Sequence, residues 1–408
     1  MGSIFDKVVE CPIDGKERRG APVNNRLLIQ LEGRKLFHIV TLCLILLFLG
    51  GKITFSYFLS APDESQKIYE TLIQQVEGPL TEQNRQYIES EKARRDQIIA
   101  QDEQIRDDYI SGKITQEEYE AHRAAYRKAI EEQSAFDQIY QRYLFLLEKE
   151  AQHSQLLEMA ETTGDMYESR LADKQLQQFQ NDFLLYYDIG WKKLIGDGNV
   201  DYLLLLFLMA VCIPYFLKEH ETGMADLVDS SYKRNTLYRI KIVYILGLSF
   251  VSALVSQTVD TVCIMTRYDL PMRDAALQSL PAFGNCVYPL TLQQACIWSA
   301  VVRVISTVVL MLFICALCSW IKKTLPVVLL FILLVFFPAI GRNEMPQWLN
   351  PYLFPQILSG SRIFTQEGFV NLFGFPISGA SIHLLFWIAV AVSSGIFIWM
   401  KMNNSTNK

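Results

Sequence analysis

Six apolar runs constrain this chain before anything else does. Leu36–Leu59, Tyr202–Leu217, Ile240–Met265, Ile297–Ile321, Leu325–Ile340 and Ile382–Met400 each approach the roughly 20 apolar residues a helix needs to cross a hydrocarbon core. The second and fifth are short, and Pro214, Pro326 and Pro338 stand near their ends, where a membrane helix tolerates proline. Half of all residues are hydrophobic and a fifth are charged, 50% and 20%. Partition reconciles the two figures, because the charge collects between the runs. The expected fold class is all-α: a polytopic membrane protein with six transmembrane helices.

Charge sets the expected orientation. Residues 61–199 hold 28 acids and 16 bases, a net −12; the whole chain carries −5, so everything else carries +7. The bases cluster before the first run (Lys16, Arg18, Arg19, Arg26, Arg34, Lys35), between the second and third (Lys218, Lys233, Arg234, Arg239, Lys241), between the fourth and fifth (Lys322, Lys323) and in the tail (Lys401, Lys408). With six spans these four places share one face, and positive charge near helix ends marks the cytoplasm. The N and C termini are therefore expected inside and the long acidic segment outside. The first run begins only at Leu36 and no A-x-A-like site follows it, so it reads as a retained helix and not a leader.

The expected organisation follows. Residues 1–36 form a cytoplasmic N-terminus with an interfacial helix, 37–59 the first span and 60–199 an extracytoplasmic helical, coiled-coil-like domain. Residues 200–402 carry the other five spans, with a loop at 218–240 and a re-entrant segment at 341–380, and 403–408 form the tail. The interfacial helix is Asn25–Leu36, whose Leu27, Leu28, Leu31 and Leu36 gather on one side, as a helix lying in the headgroup layer requires. The re-entrant reading rests on an apolar stretch (Tyr352, Phe354, Phe369, Phe373) broken by Pro346, Pro351, Pro355 and Pro376.

Residues 61–199 are rich in helix formers and poor in glycine and proline. A first helix from Glu64 continues the membrane helix and bends at Gly78-Pro79. A second covers 80–110, with Thr81 as N-cap. A third follows Thr115, with Glu118 three residues on as a capping box requires. A break at 162–165 precedes a last helix running to Leu194. The domain is expected to fold alone, its aromatics either a simple core or a surface for a peptide or lipid-linked ligand.

Charges inside spans are costly and point to function. Lys52 and Asp260 lie near the outer helix ends, where they can reach water. Arg303 is deeper, and Asp260 is its expected partner; the alternative is that Arg303 lines a cavity. Cys315 and Cys318 read as small packing residues, and no spacing fixes a disulfide among Cys263, Cys286 and Cys296.

The loop at 218–240 is more ordered than a turn needs. His220-Glu221-Thr222-Gly223-Met224 begins like the zinc helix H-E-x-x-H, but Met224 stands where the second histidine must be, and one ligand cannot hold the metal. The glycine–lysine pairs Gly15-Lys16, Gly51-Lys52 and Gly112-Lys113 lack both the phosphate-cradling loop and a following Ser or Thr. No catalytic set, cofactor or metal site is evident, so the chain is not expected to be an enzyme. Gly223 permits a tight turn, and a short amphipathic helix follows, presenting Met224, Leu227 and Val228 as a knob for a partner's groove.

Glu219, Gly223, Leu227-Val228, Arg234 and Lys241, with the interfacial helix, six spans and the re-entrant stretch, resemble the permease subunits of ABC-2-type ATP-binding-cassette transporters. Residues 61–199 look like the large outer insertions of Gram-positive members. The resemblance implies a dimeric permease, with itself or another permease, that exports a peptide, lipid or antibiotic. Separate ATP-binding-cassette ATPase subunits would drive it, with Glu219, Glu221, Gly223, Met224, Leu227, Val228 and Arg234 as coupling residues and Asp260 and Arg303 as intramembrane polar residues. The expected partners are that ATPase and membrane lipid, with no nucleic acid. The competing expectation is a sensor or regulator whose outer helices bind a ligand while no solute crosses.

Overall fold

A computed structural model describes residues 25–162, 166–179, 182–196, 200–225, 227, 234–340, 352–365 and 369–404. Among these residues, five helices are long and apolar enough to cross a membrane: α2 (Ile39–Leu59), α8 (Tyr202–Glu221), α9 (Arg234–Met265), α10 (Leu292–Ile321) and α15 (Gly379–Asn404). The helix α1 occupies Asn25–Leu36, as its leucine pattern predicts. The central member is α8, which buries Leu204, Leu205, Leu208, Cys212, Phe216 and Leu217 against Leu310, Met311 and Ile314 of α10. Small polar residues let α9 and α10 approach: Ser249, Ser252 and Ser256 on one, Ser299, Ser306 and Thr307 on the other, all buried. In contrast, α2 and α15 leave most of their apolar surface open, with Leu47 and Phe58 70% and 72% exposed. A helix apolar on every side suits lipid or a further protein surface, not water.

The fifth run is not one helix. It forms α11 (Thr324–Val335) and α12 (Phe337–Ile340), interrupted at Phe336. Pro338 has no N–H to donate back to Leu334, which breaks the ladder there. The 12 residues of α11 reach about 18 Å, short of the roughly 30 Å core. Six spans are therefore expected from hydropathy, and five spanning-length helices are found among the described residues.

Residues 61–195 build a helical module on one end of the bundle. Pro62 stops α2 from running on; Asp63 then caps α3 (Glu64–Ile73) by accepting from Gln66 N at 2.7 Å. Thr81 caps α4 (Glu82–Ile110), and Thr115 and Glu118 form the expected reciprocal pair at the start of α5 (Gln116–Thr162). The last expected helix, 166–194, is instead α6 (Met166–Leu176), a 3-10 turn, a strand and α7 (Ile189–Ile195). The cause is local: Leu185, Tyr186 and Tyr187 are all buried, and consecutive burial has no helical period. The strand β2 (Leu184–Leu185) pairs antiparallel with β1 (Gly78–Pro79).

The module's core is shared. Tyr69, Ile73, Ile88, Phe136, Ile139 and Leu146 pack with Trp191 and Ile195, and also with Leu277, Leu280 and Phe283 from the loop after α9 and with Phe364. A buried ionic knot ties it. Arg142 donates to Tyr69 Oη at 3.2 Å and to the Tyr186 carbonyl, and its guanidinium stacks 4.9 Å from the Tyr186 ring centre. Asp188 accepts from Tyr69 at 2.8 Å and pairs with Lys192 at 2.6 Å. Burial pushes the Asp188 carboxyl up, but Arg142 and Lys192 outweigh it and hold the group below the usual carboxylate range. A depressed carboxyl stabilises the fold above its unfolded value and loses that contribution as pH falls. Thermal unfolding followed by circular dichroism should therefore show the chain weakening as pH drops below about 4. Asp188→Asn, less stable at neutral pH, should lack that part of the acid dependence; an unchanged acid profile would contradict the role of the knot.

Residues 352–378 form α13 (Phe354–Leu358), α14 (Arg362–Thr365) and an unforeseen hairpin of β3 (Phe369–Leu372) and β4 (Phe375–Ser378). Residues 341–351 of the expected re-entrant segment lie outside those described. The hairpin turn, Phe373-Gly374, has φ of 55° and 83°, the two positive values a two-residue I′ turn requires. Lys174 of α6 donates to the Pro376 carbonyl at 2.5 Å, fastening the hairpin to the module.

Candidate functional site

The expected coupling loop begins at the end of α8 remote from the module. Glu219 is not free for a partner: it is 8% exposed and accepts from Lys241 Nζ at 2.6 Å and Lys35 Nζ at 3.0 Å. Lys35 also reaches Glu32 at 2.6 Å, and Glu32 accepts from Tyr215 Oη at 3.1 Å. One carboxylate thus joins α1, the end of α8 and the first turns of α9. Beyond it the character changes. Glu221 and Gly223 are exposed, Gly223 with φ of 72°, and Met224 and Leu227 are 54% and 71% exposed. Val228 lies outside the described residues, and Arg234 opens α9 with its guanidinium 5.7 Å from the Tyr238 ring centre.

At the module end, a cavity of about 760 Å³ lies between α2, α8, α9 and α10. Its polar lining departs from the expected Arg303–Asp260 pair. Asp260 goes to α2, where it accepts from Lys52 Nζ at 2.7 Å and Ser56 Oγ at 2.5 Å. Lys52 does not reach water; its side chain is 6% exposed and also donates to Asp201 at 2.8 Å. Asp201 serves twice: one oxygen caps Leu204 N at 3.1 Å, and the other takes Lys52 and Ser256. Lys52 and Ser56 are four residues apart, on one face of α2, so a single helical stripe satisfies both acids.

Arg303 takes neutral partners. Nε donates to the Ser359 carbonyl at 2.8 Å, Nη2 to the Ile195 carbonyl at 2.9 Å and Nη1 to Gln257 Oε1 at 3.2 Å. Ile195 closes α7 and Ser359 follows α13, so both carbonyls belong to helix C-termini, where oxygens lack an intrahelical donor and carry partial negative charge. The slot is cut for this side chain. A Cβ at Gly196 (φ 94°) would sit 1.5 Å from Nη2, and one at Gly360 (φ 71°) 2.6 Å from Cγ. Asp260 and Arg303 therefore line one cavity without pairing.

Sequence reasoning missed Asp201, which reads as an ordinary helix cap before Tyr202, and Lys193, which lines the same cavity. No group of residues able to hold a metal ion occurs among the described residues. Comparison with known proteins returned no matching family model, curated protein or solved structure. Geometry and chemistry alone carry the functional reading.

Proposed function

We propose that the chain is the membrane-spanning permease subunit of an ATP-binding-cassette transporter, driven by separate ATPase subunits that dock on residues 219–238. The observation that carries the reading is the cavity: buried charges kept between apolar helices are expensive, and a solute path is the usual reason to keep them. The opposite end of α8 supplies what coupling needs, exposed Met224 and Leu227 side chains just past an ionic anchor at Glu219. Basic residues near that end orient the loop to the cytoplasm and the acidic module to the outside. The open apolar faces of α2 and α15 suit lipid or a second permease.

The test uses the full chain purified in mild detergent from membranes of the cells that make it, with ATP hydrolysis measured in the eluate. Replacing Leu227 and Val228 together with Asp should abolish that hydrolysis at matched yield. Placing two carboxylates in an apolar groove costs on the order of several kcal/mol, enough to lose a micromolar contact. Asp229→Asn should leave hydrolysis unchanged. Full hydrolysis with the double variant would contradict docking at this loop.

The sensor reading has one observation in its favour. A groove of about 620 Å³ on the module is lined by Tyr69, Gln138, Gln141, Arg142 and Lys192. If ligand capture there is the chain's task, filling it with Ser134→Trp will alter ATP hydrolysis or signalling; in a permease it will leave hydrolysis unaltered.

A further inference from the structure

We propose that the cavity at the module end binds an anionic amphiphile, a molecule with a phosphate or carboxylate head and an aliphatic tail, and that Arg303 holds the head. This deepens the permease reading by naming a ligand class for its cavity, and the binding itself requires no ATPase.

Lys52, Lys193, Arg303, Asp201 and Asp260 line the cavity, which leaves it at +1. Lys52 satisfies both acids. Arg303 and Lys193 have no carboxylate within ion-pair distance among the described residues. Two carbonyl dipoles and an amide fix the guanidinium in place without neutralising it. A structural role would be met more cheaply by an apolar side chain, yet two glycines at positive φ clear a slot for this one.

A guanidinium carries five N–H groups, and the three bonds to Ser359, Ile195 and Gln257 use one on each nitrogen. One N–H remains on each terminal nitrogen, the number a bidentate carboxylate or phosphate takes. Fixing the other three in advance lowers the entropy lost when the anion arrives.

The walls supply the tail's environment. Phe55, Leu59 and Leu206 line the cavity and are 55%, 60% and 43% exposed. Its open side is therefore bounded by apolar residues of α2 and α8, beside which a tail can lie without entering water. A small hydrophilic anion would gain nothing from that mouth. The volume suits a head group with part of a chain, within the usual range of roughly 300–1,000 Å³ for ligand pockets.

The experiment titrates the purified full chain, in a non-ionic detergent, with dodecyl phosphate, dodecyl trimethylammonium and inorganic phosphate, following intrinsic tryptophan fluorescence. Dodecyl phosphate should bind saturably and the cationic amphiphile should not. Arg303→Gln should weaken dodecyl phosphate about tenfold or more, the loss of a charge-assisted pair, with Arg303→Lys intermediate. Because Arg303→Gln also removes the guanidinium donors to the Ser359 carbonyl and to the Ile195 carbonyl, which keeps Ser299, Leu206→Trp provides an independent arm: it blocks the mouth, leaves every bond of Arg303 in place, and should weaken dodecyl phosphate too. Three results would each overturn the proposal: equal binding by the unmodified chain and both variants, saturable binding of inorganic phosphate as tight as that of dodecyl phosphate, or tighter binding of the cationic amphiphile. The variant with Asp at Leu227 and Val228 should bind dodecyl phosphate normally. Full ATP hydrolysis by that double variant, with dodecyl phosphate still bound by the unmodified chain, would remove the ATPase reading and keep the site; lost hydrolysis in the double variant, with no dodecyl phosphate bound by the unmodified chain, would remove the site alone.

Discussion

Lys52→Met should cost the chain about 3–5 kcal/mol, the range for removing one partner of a buried ion pair, and its melting temperature in detergent should fall accordingly. The effect is large because one ammonium serves two carboxylates, at 2.8 and 2.7 Å from its nitrogen. Without it, Asp201 and Asp260 face each other with no cation between them, left with Ser256 and the Leu204 N–H on one acid and Ser56 on the other. The compensating variant separates charge from shape. Lys52→Met with Asp201→Asn and Asp260→Asn removes all three charges, keeps an amide to cap Leu204, and should recover most of the loss. An unaltered melting temperature for Lys52→Met would show that the cluster is not a closed ionic unit.

Glu219→Ala is expected to be nearly as damaging, and for a reason that separates two roles. Lys241 is 1% exposed and donates to Glu219 at 2.6 Å; without the carboxylate it is a buried cation with no acid beside it. A loss of about 3–5 kcal/mol follows, together with a weaker hold on α1, whose Lys35 loses this carboxylate at 3.0 Å while Glu32 keeps Tyr215. Adding Lys241→Met should restore much of the stability. Glu219→Ala should therefore lower yield and melting temperature together with ATP hydrolysis. A variant that is fully stable yet has lost hydrolysis would make Glu219 a contact residue for the partner instead of an anchor.

The parts legible in the sequence are those that local chemistry decides. The leucine spacing of Asn25–Leu36 and the Thr115/Glu118 pair determine elements within a few residues, and both stand as expected. So do the cores of five apolar helices. Partners were not legible where the chain must return from far away. Lys52 meets Asp201 across 149 positions and Asp260 across 208, and depth in a helix says nothing about which acid a lysine will find. Arg303 was assigned an acid because the nearest intramembrane acid was visible, whereas carbonyls at two helix ends are not a residue type. Hydropathy also misjudged Leu325–Ile340, since an apolar total does not register what Pro338 does to the ladder. Phe183–Tyr187 reads as helix in the sequence, because the strand partner of Leu184 and Leu185 is Gly78-Pro79, about a hundred residues earlier.

The central claim is that the cavity and the coupling loop lie toward opposite faces of a bilayer. Single cysteines test it: Ser111→Cys at the exposed turn between α4 and α5, and Leu227→Cys in the loop. Each is treated in intact cells with a membrane-impermeant maleimide, and labelling is read above the background of the native cysteines. Position 111 should label in intact cells, and position 227 only after the membrane is opened. Labelling of both from the same side would contradict the arrangement, and with it a permease that takes its ligand at one face and its ATPase at the other.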